Sequence, residues 1–123
     1  FKNAQDKSIA EISVEIANLA QAAKNRKLQI KDLKGASFTI SSLGAIGGKF
    51  FTPIINPPEV GILGISKTFE KVITGKNGFE SRSFLPLSLS YDHRAINGVY
   101  AVEFTSQLAQ AIMDIKMIEK VFK

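Results

Sequence analysis

The chain has 123 residues, 45% hydrophobic and 22% charged, with nine Phe and no Trp, the size and polarity of one ordinary globular domain able to bury a core. It has no Cys and one His, which excludes disulfides and thiolate catalysis and leaves no second His or Cys to complete a metal site, so any reactive thiol must belong to a substrate. The net charge of +5 invites an anionic partner. However, Lys24, Arg26, Lys27, Lys31 and Lys34 follow one segment with no aromatic among them, which reads as a solvated face and not as a nucleic-acid platform, leaving a phosphate-bearing ligand as the remaining reading. No apolar run approaches the roughly 20 residues that span a bilayer, and the first residues lack a signal-peptide core. The chain therefore reads as soluble and free of the membrane, and its start without Met suggests a piece of something longer.

The first predicted element is an amphipathic helix from Ser8 to Asn25, with Ile9, Ile12, Ile16, Leu19, Ala20 and Ala23 at helical spacing and a capping box formed by Ser8 and Glu11. A basic linker ends at Gly35. Ser37 to Ser41 then alternates apolar and hydroxyl side chains, a strand with one buried face. From Ser42 to Pro58 the glycines and prolines forbid regular structure and imply a shaped loop of the kind that carries function. Val60 to Ser66 reads as a buried strand, and its Gly61 and Gly64 mark places where something packs against the backbone.

Gly75-Lys76-Asn77-Gly78 is a hairpin signature between the segments Phe69 to Thr74 and Phe79 to Asp92, with Pro86 marking an edge or a bulge in the second. The last element is a helix from Gly98 to Lys120, with Asn97 as N-cap and Tyr100, Phe104, Leu108, Ala111, Ile112 and Ile115 on one stripe. The sum is α+β: two long helices with a mixed or antiparallel sheet.

Chemistry concentrates at the single His. A lone His is more often structural than catalytic, although its ordinary pKa suits proton transfer. Asp92, His93, Arg94, Asn97 and Gly98 crowd polar groups into one bend between apolar segments. A plain strand-to-helix turn accounts for Asp92 and Arg94 as a pair, Asn97 as a cap and Gly98 as relief of backbone strain, but leaves His93 unexplained. Ser41 and Ser42 end a strand before Gly44, where a hydroxyl is well presented, without the G-x-S-x-G elbow of serine hydrolases. Gly44, Gly47 and Gly48 make neither a P-loop nor a dinucleotide fingerprint.

Asp92-His93-Arg94-x-x-Asn97-Gly98 resembles the D-H-R-x-x-[D/N]-G signature of the E2 acyltransferase components of 2-oxo acid dehydrogenase complexes and of the wider chloramphenicol acetyltransferase-like superfamily. A second block, Ser37 to Gly44 followed by Phe51 to Val60, is similar to that family's serine-bearing strand and proline-rich loop, and the likeness runs from about Lys7 to the end. The resemblance implies that His93 is the general base taking a proton from the thiol of coenzyme A or dihydrolipoamide. It makes Ser41, with Ser42 as the neighbouring alternative, the donor to the oxyanion. Asn97 stands where many members have Asp, so it orients by hydrogen bonding without charge, and Asp92, Arg94 and Gly98 support the bend. Noncatalytic relatives that bind E3 lose the histidine, which this chain keeps.

The same resemblance implies a homotrimer assembling into a cubic or dodecahedral core, with histidine and serine contributed by different chains. It makes residues 1–123 the C-terminal part of a longer catalytic domain, with lipoyl and peripheral-subunit-binding domains, and their E1 and E3 partners, lying outside it. Ser41 to Gly44 and Ala111 to Lys116 look more like the acetyltransferases of pyruvate dehydrogenase than like succinyl- or branched-chain enzymes, which stay open along with a non-catalytic core scaffold. Bacterial cytoplasm is the expected compartment, with mitochondrial or plastid matrix as the alternatives.

Overall fold

In the computed structural model, which describes residues 1–76, 78–114 and 116, the chain divides into two compact units: Phe1–Ala36 together with the chain from Ser106, and Ser37–Thr105. In the first, helix α1 spans Ile9–Lys24. It starts where the sequence placed it because Ser8 closes a complete capping box: its hydroxyl accepts from the Glu11 backbone N–H at 3.3 Å, and the Glu11 carboxylate accepts from the Ser8 N–H at 2.8 Å. That arrangement holds the Glu11 carboxyl below its ordinary value, mainly through the Ser8 backbone N–H. Ile9, Ile12, Leu19 and Ala22 are half-buried, whereas Ile16, Ala20 and Ala23 are exposed, so the covered stripe keeps only Ile9, Ile12 and Leu19 of the predicted one.

The second unit carries five strands: β1 (Thr39–Ser42), β2 (Gly61–Ile65), β3 (Phe69–Gly75), β4 (Gly78–Phe84) and β5 (Leu87–Tyr91). They form a three-stranded sheet in the order β1-β2-β5 and a separate β3-β4 ribbon. β1 runs parallel to β2 and β5 antiparallel to it, which makes the first sheet mixed. The core lies on the central strand, where Ile62 and Leu63 are 5% and 4% exposed.

Strand boundaries differ from the sequence reading: β1 begins at Thr39 and not at Ser37, and β2 falls one residue short of the predicted Val60 to Ser66 at each end. Ser42 is paired, opposite Ile65, so β1 runs to Ser42 and the irregular loop begins one residue later. The segment read as one strand from Phe79 to Asp92 is two strands in two sheets. Pro86 is the physical reason: it has no N–H to continue the β4 ladder, while its carbonyl accepts from Ser66 N at 3.2 Å and so opens the pairing of β5 with β2. The hairpin itself follows its signature, with Gly75 paired to Gly78 and Gly78 at φ +117°, a conformation that suits glycine.

Helix α2 spans Gly98–Met113. The predicted continuation to Lys120, including Ile115 of the stripe, lies outside the described residues apart from Asp114, which is not helical, and Lys116. Among the described residues no helix is long and apolar enough to cross a membrane.

Candidate active site

The bend after β5 is built around Asp92. Its backbone N–H donates to Val60 O at 2.9 Å, which pins the bend to the central strand, and its carbonyl accepts from Ala95 N and Ile96 N at 3.0 and 2.9 Å. Its carboxylate accepts from Arg94 three times through the side chain, the shortest bond being Nη2 to Oδ2 at 2.7 Å, and once through the backbone N–H at 3.0 Å. The Arg94 guanidinium thereby holds the Asp92 carboxyl down at about 2, and Asp92 in turn raises Arg94. Asp92 and Arg94 are thus the structural pair the sequence suggested.

His93 stands between them, exposed on the bend, with its ring 5.6 Å from that of Tyr91 and tilted by 39°. Among the described residues its imidazole makes no hydrogen bond, so both ring nitrogens are open to a ligand or to another chain. Asn97 caps α2: its Oδ1 accepts from Tyr100 N at 3.0 Å and its carbonyl from Ala101 N at 3.2 Å. That leaves the amide Nδ2 as a donor. Gly98 differs from the strain-relief reading, since its φ is not positive and a Cβ there would meet only Tyr91 Oη at an ordinary 3.8 Å.

Ser41 sits half-buried on β1, opposite Gly64 of β2, with Ser88 of β5 on the other side of the same glycine. Ser42 is exposed, and its Oγ already accepts from Gly44 N at 3.2 Å. The loop after β1 folds back over this rung: a Cβ on Gly64 would lie 2.8 Å from Phe51 Cζ and 3.3 Å from Pro53 Cγ. Phe50 to Pro53 and Ser88 to Ser90 enclose a cleft of about 300 Å³ there. Farther along the same sheet face, Thr39 donates to the buried Glu59 carboxylate at 2.5 Å.

Ser41 and His93 do not meet within one chain. The rung of Ser41 lies three residues from that of Tyr91 and two strands across, roughly 14 Å between Cα atoms at ordinary strand spacings. His93 is two residues beyond Tyr91, whereas an oxyanion donor works at about 3 Å.

A family model described as the catalytic domain of 2-oxoacid dehydrogenases acyltransferase matches residues 1–119. The chain belongs to that acyltransferase family. It is 51% identical over 119 residues to the dihydrolipoyllysine-residue acetyltransferase component of the pyruvate dehydrogenase complex of Pseudomonas aeruginosa, covering 96% of this chain and 22% of that one.

Two solved structures carry the same fold. The Azotobacter vinelandii dihydrolipoamide acetyltransferase, studied for the role of a serine, a histidine and an asparagine in its catalytic mechanism, aligns with a TM-score of 0.86 at 49% identity over 92% of this chain and 46% of that one. The cubic core of the pyruvate dehydrogenase multienzyme complex aligns at 0.85, with 50% identity, 91% of this chain and 46% of that one. The chain thus spans under half of these acyltransferase cores and about a fifth of the Pseudomonas relative.

Within the acyltransferase frame, sequence reasoning missed three neighbours of the site: Phe51 over Gly64, Tyr91 beside His93, and Glu59 under Thr39. Gly64 did announce a close approach, but not which residue makes it. Glu59 follows Pro57-Pro58 in the block that suggested the family and gave no sign of being buried.

Proposed function

We propose that the protein transfers an acetyl group between dihydrolipoamide and coenzyme A. His93 accepts the proton of the incoming thiol on a ring nitrogen. The thiolate adds to the thioester carbonyl of the other partner, and the Ser41 hydroxyl donates to the oxyanion of the tetrahedral adduct. Collapse of the adduct expels the second thiolate, which recovers the proton from His93, so the protein forms no covalent bond. Asn97 orients the bend, and Arg94 and Asp92 hold its shape.

The observation that carries the reading is the coincidence of residue type and spacing. In the Azotobacter enzyme the serine, histidine and asparagine singled out for catalysis are separated by fifty-two and four positions, as are Ser41, His93 and Asn97. Two features of the geometry support the roles. Ser42 is committed to Gly44 while Ser41 faces the cleft side of the sheet, and the imidazole makes no hydrogen bond among the described residues. The separation of Ser41 from His93 supports a site shared between chains, hence a homotrimer within a larger core of chloramphenicol acetyltransferase-like subunits. In that reading residues 1–123 are the C-terminal part of the catalytic domain, E1 and E3 bind elsewhere on the complex, and the compartment is the bacterial cytoplasm.

The cleft beside Ser41, with its aromatic wall and serine hydroxyls, suits an extended thiol arm that carries amides, a feature common to both substrates. In the full-length assembled protein, His93→Ala should lower the rate of acetyl transfer from acetyl-CoA to dihydrolipoamide by about 10²–10⁴-fold, and Ser41→Ala by about 10²–10³-fold. Unchanged turnover in His93→Ala would end the reading, and normal assembly without turnover in the wild type would favour a scaffold.

A further inference from the structure

Glu59 is a buried acid that the steps of acyl transfer leave unused. It is 9% exposed, yet among the described residues no Lys, Arg or His pairs with it. Its partners are neutral: Oε2 accepts from Thr39 Oγ1 at 2.5 Å, and Oε1 from Asn56 Nδ2 at a longer 3.5 Å. Burying an acid without a counter-ion opposes folding, and an apolar side chain of the same size would be the easier occupant. A sequence that breaks a local rule in this way does so most often at a functional site.

What Glu59 holds is the strand that carries Ser41. Among the described residues β1 pairs on one side only, with β2, over four residues. A strand's register is ordinarily set by its apolar face, but in β1 the pattern is inverted: Thr39 and Ser41 are half-buried while Ile40 is 63% exposed. No apolar side chain of β1 itself therefore resists a slip along β2, although a slip of one residue would turn Ser41 away from the cleft. The Thr39–Glu59 bond does resist it. Thr39 lies two residues before Ser41, so the two side chains share a face. Glu59 is itself anchored on both sides: its N–H donates to Asn56 O at 3.0 Å, and the carbonyl of Val60, next in the chain, accepts from Asp92 N at 2.9 Å.

We propose that Glu59 is a positioning residue for acyl transfer: the hydrogen bond it accepts from Thr39 locks β1 in the register that aims the Ser41 hydroxyl at the oxyanion. This role rests on the acetyltransferase reading and on Ser41 within it. An oxyanion donor works at about 3 Å and tolerates little displacement, so loss of the lock is felt in the rate and not in substrate binding.

The test uses the full-length assembled protein. Glu59→Leu and Thr39→Val remove the two ends of the bond, and each should lower kcat for acetyl transfer about tenfold, with KM for acetyl-CoA and for dihydrolipoamide unchanged. Glu59→Gln keeps an oxygen for Thr39, while Asn56 can turn its amide to accept from the new N–H, so its kcat should stay near that of wild type. With Ser41 already replaced by Ala, Glu59→Leu and Thr39→Val should cost almost nothing further, because the hydroxyl they misplace is gone. A loss of the same size in the Ser41→Ala background overturns the role, since it would mean general damage to the domain. An unmoved kcat in Glu59→Leu, or a loss that appears in KM, overturns it too. If Glu59→Leu fails to fold, Thr39→Val carries the same pair of comparisons, with Thr39→Ser, which keeps the hydroxyl, as its control. A wild type without acetyl transfer removes the acetyltransferase reading and this role with it, whereas normal turnover without coupling between Glu59 and Ser41 removes this role alone.

Discussion

Asp92 shows how one residue ties sequence to site, because its backbone anchors the bend to β2 while its carboxylate closes on Arg94. Its carboxyl is held at about 2 against an ordinary 3.8. A depressed carboxyl stabilises the folded bend fully above its unfolded pKa, and that contribution is lost as pH falls from about 3.8 through about 2. Arg94→Gln removes the guanidinium, so an NMR titration of the Asp92 carboxyl should move its midpoint up from about 2 toward 3.8. A midpoint that stays near 2 would show that something other than Arg94 sets it. The pair was legible in the sequence because its members are two residues apart in one turn. The choice between Ser41 and Ser42 was not, because it depends on which hydroxyl the Gly44 N–H claims, and that needs the backbone path after β1.

At the scale of elements, local signals placed what local forces decide. The Ser8–Glu11 box started α1 and Asn97 capped α2, each within four residues of its partner. The assignment of strands to sheets was not local: Pro86 marks an irregularity between Phe79 and Asp92, but not that β5 leaves β4 for β2, the strand that also pairs the serine strand β1. Gly64 lies between these cases, since a glycine in a buried strand declares a close neighbour without naming it. With Phe51 Cζ 2.8 Å from the place a Cβ would take, Gly64→Ala must push the ring off the sheet or spread the strands. A destabilisation of about 1–3 kcal/mol is expected from such overpacking, read as a lower midpoint in thermal or urea unfolding. Because Phe51 also walls the cleft beside Ser41, the same variant should lose acetyl transfer beyond what its stability loss accounts for. A variant as stable and as active as wild type would show that Phe51 does not rest there.

On the scale of the whole molecule, surface is the dominant fact. No side chain in the described residues is fully buried, and Phe38, Tyr100 and Phe104 are 38%, 65% and 43% exposed. They border an apolar groove of about 360 Å³ in the sheet unit, with Tyr91, two residues from His93, in its wall. Such a groove is a face that another part of the domain or a second chain would cover. Composition foretold a core, but the number of Phe and Ile residues says nothing of whether they face inward or toward a neighbour. The full-length protein should therefore sediment at micromolar concentration as a multiple of its own mass, with association strengthened by sulfate because apolar contact drives it. A full-length protein that sediments as a single monomer would mean that no second copy covers this groove, and would leave Ser41 and His93 no second chain on which to meet.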